Sequence, residues 1–181
     1  MDALPPLPNT SHRLDGLPGY GRGRARQTLP FHHRLGSNEA SDGPSPSVQA
    51  AVAASFASAH RYPDLRGESL AEALAHRHGL SPESVAVGAG SIVLLDQLIR
   101  AWCDPGDEVV TPWRSYEAYP ILAGLAGARM VEVPLDAAAR LDPARLLAAV
   151  GPRTRVVLIC NPNNPTGTAL DAAAIDGLLA A

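Results

Sequence analysis

From Asp107 onward, short runs of β-branched residues alternate with segments of helical spacing, and this alternation leaves few folds open. DEVVT reads as a strand, SYEAYPILAGLAG as a helix, ARMVEVPL as a strand, DPARLLAAV as a helix that begins at Pro143 after an Asp142 cap, and RVVLIC as a strand. Strands joined through helices pair in parallel, so the pattern predicts an α/β fold with a mostly parallel sheet wrapped by helices. Such sheets bind ligands in loops at the carboxyl ends of their strands. With 181 residues, 46% of them hydrophobic, the chain has enough apolar material for one domain with a real core.

Upstream the pattern is looser. Residues 1–46 are rich in Pro, Gly and Arg with no sustained apolar period, which predicts an extended N-terminal arm and leaves 47–181 as the packed domain. Val48, Val52 and Phe56 then recur at helical spacing, RYPDLRG breaks the run, and GESLAEALAHRHG reads as a second helix ending on Gly79. VAV, residues 85–87, reads as a short buried strand, while Ile92, Leu95, Ile99 and Trp102 mark one face of the next helix, which stops at DPGD. The final segment, LDAAAIDGLLAA, starts a helix and stops with no C-cap, closing strand or polar tail. That is the pattern expected of a truncated domain whose sheet keeps an uncovered edge or face.

The charge pattern narrows the partners. A net charge of -3 with both signs scattered and no basic block argues against nucleic acid and anionic membranes and favours small molecules. The N-terminus, MDALPPLPNTSHR, lacks the basic start and apolar stretch of a signal peptide, and no run approaches a membrane span, so the expected location is cytoplasmic. Cys103 and Cys160 are far apart, with Cys160 inside the apolar run VVLIC, which predicts two reduced, mostly buried thiols and no metal site. All fifteen basic residues are Arg. A mechanism that needs a lysine Schiff base therefore cannot be completed from this polypeptide alone.

Two motifs carry chemistry. Gly88, Ala89, Gly90 and Ser91 lie between the VAV segment and a helix start, where small residues let backbone N–H groups converge on an anion such as a phosphate. A tight turn without a ligand is the other reading. A dinucleotide site is disfavoured, because its fingerprint requires a third glycine where Val93 stands. The second motif is NPNNPTG, Asn161 to Gly167, directly after RVVLIC; its prolines fix the backbone and its Asn side chains offer donors at the ligand edge of the sheet.

NPNNPTG, with SNEASDGPSPS, RYPD, GAGS, DPGDEVV and WRSYEAYP in this order, resembles the fold-type I aminotransferases, and most of all the histidinol-phosphate branch with its aromatic-amino-acid relatives. The likeness covers nearly the whole chain but only the first half of a family member. It implies the three-layer αβα large domain of fold-type I enzymes, pyridoxal phosphate as cofactor, and a homodimer when full length. It further implies that Ala89, Gly90 and Ser91 hold the cofactor phosphate, that Tyr116 stacks on the pyridine ring, and that Asn164 hydrogen-bonds the 3-oxygen. Tyr62 matches a residue that reaches the other subunit's phosphate, although a plain turn tyrosine before Pro63 fits as well. Tyr20 and Asn38 match substrate-side positions, Asn38 being equally readable as a turn residue. Ile92 and Val93 depart from the family, which often has acidic residues after the loop serine. The family's Schiff-base lysine, its pyridine-nitrogen aspartate and its carboxylate-binding arginine belong to segments beyond Ala181.

The activity so implied is amino transfer between histidinol phosphate or an aromatic L-amino acid and a 2-oxo acid, this chain alone being inactive. A decarboxylase of phosphorylated amino acids on the same fold, or a noncatalytic cofactor-binding remnant, would share the same motifs. His32 with His33, and His76 with His78, do not place two nitrogens on one helix face as zinc would require, and Arg22, Arg24 and Arg26 read as a solvated cluster.

Overall fold

The computed structural model describes residues 14–18 and 38–181, which fall into two units, Arg22–Gly88 and Met1–Gly21 together with Ala89–Ala181. In the first unit, helix α1 (Pro46–Ser55) starts as its sequence dictates, with Ser45 accepting from the Val48 N–H and Pro46 in the first turn. Val48, Val52 and Phe56 do lie at helical spacing, yet no residue of α1 is buried. Helix α2 (Glu68–His78) runs between Gly67 and Gly79, both left-handed, and closes with the Leu80 N–H on the Ala75 carbonyl. Asp64 of RYPD caps it from outside, accepting from the Ser69 and Arg66 N–H groups, and the Ser69 bond above all holds its carboxyl below the usual range. Gly67 is doubly constrained: its φ is +63°, and a Cβ there would run into the Val87 side chain.

The expected strand at 85–87 does not form. A 3-10 turn at Pro82–Ser84 leads into an extended backbone at Val85, but among the described residues no strand pairs with the segment, and Val85 and Val87 are only half-buried. An apolar extended run becomes a strand only when a neighbouring ladder takes up its N–H and C=O groups, and periodicity says nothing about whether that partner exists.

The second unit contains α3 (Ser91–Trp102), β1 (Glu108–Trp113), α4 (Tyr119–Ala126), β2 (Arg129–Pro134), α5 (Pro143–Ala148), β3 (Thr154–Val157) and α6 (Ala172–Ala180). The sheet order is β2-β1-β3, all parallel, as the alternation predicts. Val109 opposes Met130 and Val156, and Val110 opposes Val131 and Val157. Successive strand residues face opposite sides, and each side carries its own core. Val109 joins Ile99, Tyr119, Leu122, Ala123, Val156 and Leu158 under α3 and α4. Val110 joins Val133 and Leu146, with Leu178 from α6, on the other side. The result is an αβα sandwich. Ile99 is fully buried on the predicted face of α3, whereas Trp102 at its far end is 67% exposed. Cys103 is buried and Cys160 half-buried, both free. Among the described residues no helix is long and apolar enough to cross a membrane.

Glu108, buried at the start of the central strand, accepts from Arg129 Nη2 at 2.6 Å and pairs with Arg153 Nη2 at 2.8 Å, joining the beginnings of all three strands. The Arg129 hydrogen bond, then that of Arg153, holds its carboxyl below its ordinary value of 4.5. A carboxyl whose pKa is lowered by folding adds stability above its unfolded pKa, and that stability is lost as pH falls through the folded value. Glu108→Gln is therefore expected to flatten the acid limb of stability below about pH 4.5. Urea midpoints between neutral and acid pH would show it; a limb identical to wild type would mean that the pair contributes nothing.

Candidate active site

Three segments reach one edge of the sheet. The strands are parallel, so the residues after β1 and β3 leave from the same, carboxyl, edge. Helix α3 precedes β1 through the tight turn at DPGD and packs against α4 and β3, with Ile99 near its end meeting Val109 near the start of β1, so that its N-terminus lies toward the carboxyl edge. Its 12 residues cover about 18 Å, close to the length of a six-residue strand.

At the α3 N-terminus, Gly90 adopts φ 87° and ψ 160°, a conformation open essentially to glycine alone. The Val93 N–H donates to the Gly90 carbonyl at 3.2 Å, which leaves the Ser91 and Ile92 N–H groups as the helix start's donors without an intrahelical partner. Among the described residues no side chain caps the helix start, and no acidic residue stands in its first turn to oppose the positive end of the helix dipole. The Ser91 hydroxyl adds a further donor at the first helical position.

At the end of β1, Trp113 carries the Arg114 guanidinium over its ring at 5.2 Å, and Ser115 is buried. Tyr116 follows, half-buried, its ring meeting the edge of Tyr119 at 5.5 Å and 89°. Burial, with the Cys160 thiol beside it, pushes the Tyr119 hydroxyl up to about 12, so this group is a donor and not a base at neutral pH.

NPNNPTG divides its three asparagines between two tasks. Asn161 Oδ1 accepts from the Leu170 N–H at 2.8 Å, and its Nδ2 donates to the Leu170 carbonyl at 3.3 Å, closing the loop on itself. Asn163 is 7% exposed and fully engaged. Its Oδ1 accepts from Ser115 Oγ at 2.8 Å, and its Nδ2 donates to the Arg114 carbonyl at 3.1 Å and to Thr166 Oγ1 at 2.9 Å. Thr166 contacts Thr168 at 2.8 Å, and the Thr168 hydroxyl donates to the Ala139 carbonyl at 2.9 Å. The Asn164 side chain has no hydrogen-bond partner among the described residues, and it is half-buried. The cleft behind the loop, between Arg140, Leu141, Asn161 and Leu170, has about 10 Å³ of free space, room for one water and not for a cofactor ring.

Of the residues singled out in the sequence, Ala89, Gly90, Ser91, Tyr116 and Asn164 share this edge. The Ser115–Asn163 bond makes the point directly, since Tyr116 and Asn164 are the next residues after that touching pair. Tyr62, 95% exposed, and Asn38, exposed and left-handed at φ 52°, belong to the other unit. Tyr20 lies outside the described residues. Sequence reasoning missed Asn163 and Ser115, whose pairing spans 48 residues and depends on the β1–β3 register, and it passed over Tyr119. The residues fit a phosphorylated planar cofactor in part: an uncapped helix start for the phosphate, an aromatic face and an uncommitted amide are present, while the chain holds no lysine to bond it covalently.

The family model of the class I and II aminotransferases matches residues 33–181, and the chain, with its αβα parallel sheet and NPNNPTG loop, belongs to that family. Among its relatives, the aromatic amino acid aminotransferase of Rhodococcus jostii is 45% identical, over 95% of this chain and 47% of its own length. That of Thermobifida fusca is 50% identical, over 87% of this chain and 44% of its own. Histidinol-phosphate aminotransferase from Sinorhizobium meliloti, solved in complex with pyridoxal-5'-phosphate, superposes with a TM-score of 0.75 at 34% identity, covering 80% of this chain and 40% of that one. The chain thus spans about half the length of the relatives it matches.

Proposed function

We propose that the full-length protein transfers an amino group between an aromatic L-amino acid and a 2-oxo acid, with pyridoxal phosphate held at the edge just described. The observation that carries this reading is the division of labour in NPNNPTG: Asn161 and Asn163 are committed to the loop, and Asn164 is left to serve a ligand. The relatives that share 45–50% of its residues are named for aromatic amino acids, which favours that donor over histidinol phosphate. When bound, the cofactor supplies an electron sink. The N–H groups at Gly90 and Ser91, with the Ser91 hydroxyl, would donate to its phosphate. Asn164 Nδ2 would donate to the 3-oxygen, and the Tyr116 ring would cover one face of the pyridine and exclude water from it. The catalytic lysine would come from the part of the protein outside this chain. In a homodimer, Tyr62 would reach the partner's phosphate; its exposure supports that assignment.

Titrating the chain with pyridoxal phosphate, and separately with pyridoxal, tests the site. Binding should depend on the phosphate, and Asn164→Ala should weaken it about two- to tenfold, the worth of one hydrogen bond. Equal affinity for the two compounds would sink the phosphate assignment. For the full-length protein, turnover with histidinol phosphate and none with phenylalanine or tyrosine would sink the proposed donor.

A further inference from the structure

We propose that Tyr119 and Cys160 are positioning residues that fix the tilt of the Tyr116 ring by tying it to the NPNNPTG loop. The inference rests on the cofactor reading above. Tyr116 does not stand alone at the site edge: it meets Tyr119 edge to face, and Tyr119 is buried at the first position of α4 among the core residues Leu122, Val156 and Leu158. Cys160 packs against that same cluster, and its thiol lies beside the Tyr119 hydroxyl. The thiol in turn donates to the Pro162 carbonyl at 3.3 Å, two residues before Asn164. A continuous path thus runs from the proposed ring cover, Tyr116, through Tyr119 and Cys160 to the loop that presents Asn164.

This path is the second tie between the two segments. The first is the bond from Ser115 to Asn163, with Asn163 returning to the Arg114 carbonyl. One tie leaves a loop free to pivot about it; two ties, on opposite sides of Tyr116 in sequence, remove that freedom. A group that must lie flat between an aromatic face and an amide donor depends on the angle between them, and a small rotation of either support weakens both contacts.

The test titrates pyridoxal phosphate into the full chain and follows two signals, the affinity and the induced circular dichroism of the bound pyridine, alongside the melting temperature. Tyr119→Leu removes the edge contact and should weaken binding about two- to tenfold. Tyr119→Phe keeps the ring and loses only the hydroxyl beside the thiol; it should leave the melting temperature near wild type while altering the dichroism. Cys160→Ser can still donate to Pro162 and should retain the wild-type signal, whereas Cys160→Ala should not. If Tyr119→Phe and Cys160→Ala bind with wild-type affinity and dichroism, or if the variants change the melting temperature alone, the two residues are ordinary core and the proposal falls. A wild-type chain that binds no cofactor would overturn the site reading itself, and this inference with it.

Discussion

Asn163→Leu is expected to lower the unfolding free energy by about 2–4 kcal/mol, because it leaves one buried hydroxyl unsatisfied and removes two further loop hydrogen bonds at once. The leucine is close in volume, so the loss is not one of packing. Ser115 Oγ, 2% exposed as a residue, loses its acceptor, and the Arg114 carbonyl and Thr166 Oγ1 lose a donor. Ser115 Oγ, the buried member of the set, cannot regain water without opening the loop and carries its desolvation cost into the folded state, while the exposed Arg114 and half-buried Thr166 lose only the hydrogen bond itself. Urea denaturation measures the change; a loss under about 0.5 kcal/mol would place Asn163 with ordinary surface residues. Asn163→Asp sharpens the test. Its protonated acid can accept from Ser115 and still donate to the Arg114 carbonyl, while its carboxylate meets that carbonyl with like charge. The folded state then binds the proton more tightly than the unfolded one. Stability should be highest in acid and fall as pH rises through the ordinary carboxylate range, opposite in sign to the effect at Glu108.

Gly90→Val should reduce the affinity for pyridoxal phosphate by at least about tenfold, with a smaller effect on overall stability. No atom of the described residues lies within 4 Å of a Cβ built on Gly90, so the cause is not a clash with them but the φ of 87°, which a β-branched residue avoids. Relieving that strain, about 1–3 kcal/mol, requires the backbone to rotate, and rotation turns away the N–H groups that would meet the phosphate. Because the helix begins immediately afterwards, the core contact made by Ile99, more than two turns on, should survive. Comparing pyridoxal phosphate with pyridoxal isolates the effect: a loss shared equally by both ligands would point to general unfolding.

The legibility of this fold in its sequence followed the range of the interactions involved. Helix α2 stops, and helices α5 and α6 start, where local chemistry says they should: Gly79 closes the first, and Asp142 and Asp171 accept from the first-turn N–H groups of the others. The three strands of the sheet could be placed because Val109, Val131 and Val156 lie in apolar runs between helical segments. Residues 85–87 have the same apolar character and fail to make a strand, because pairing depends on a distant partner and not on the run itself. Gly90, Ser91, Tyr116 and Asn164, the residues proposed to hold the cofactor, stand in motifs visible in the sequence. Asn163 could not be told from its neighbour Asn164, since only the register of β1 against β3 decides which amide turns inward to Ser115. The role of Glu108 was hidden for the same reason, its partners lying 21 and 45 residues away.

The hydrogen bonds within NPNNPTG have a thermodynamic consequence for any ligand that docks there. Asn161, Asn163, Thr166 and Thr168 already restrain the loop through contacts made within the chain itself. Little backbone freedom is left to be lost at the moment of encounter, so the ordering entropy that opposes association at a mobile loop was surrendered earlier, during folding. Association at this edge should then be governed by diffusion and orientation instead of loop closure, with a single kinetic phase whose rate rises in proportion to ligand concentration.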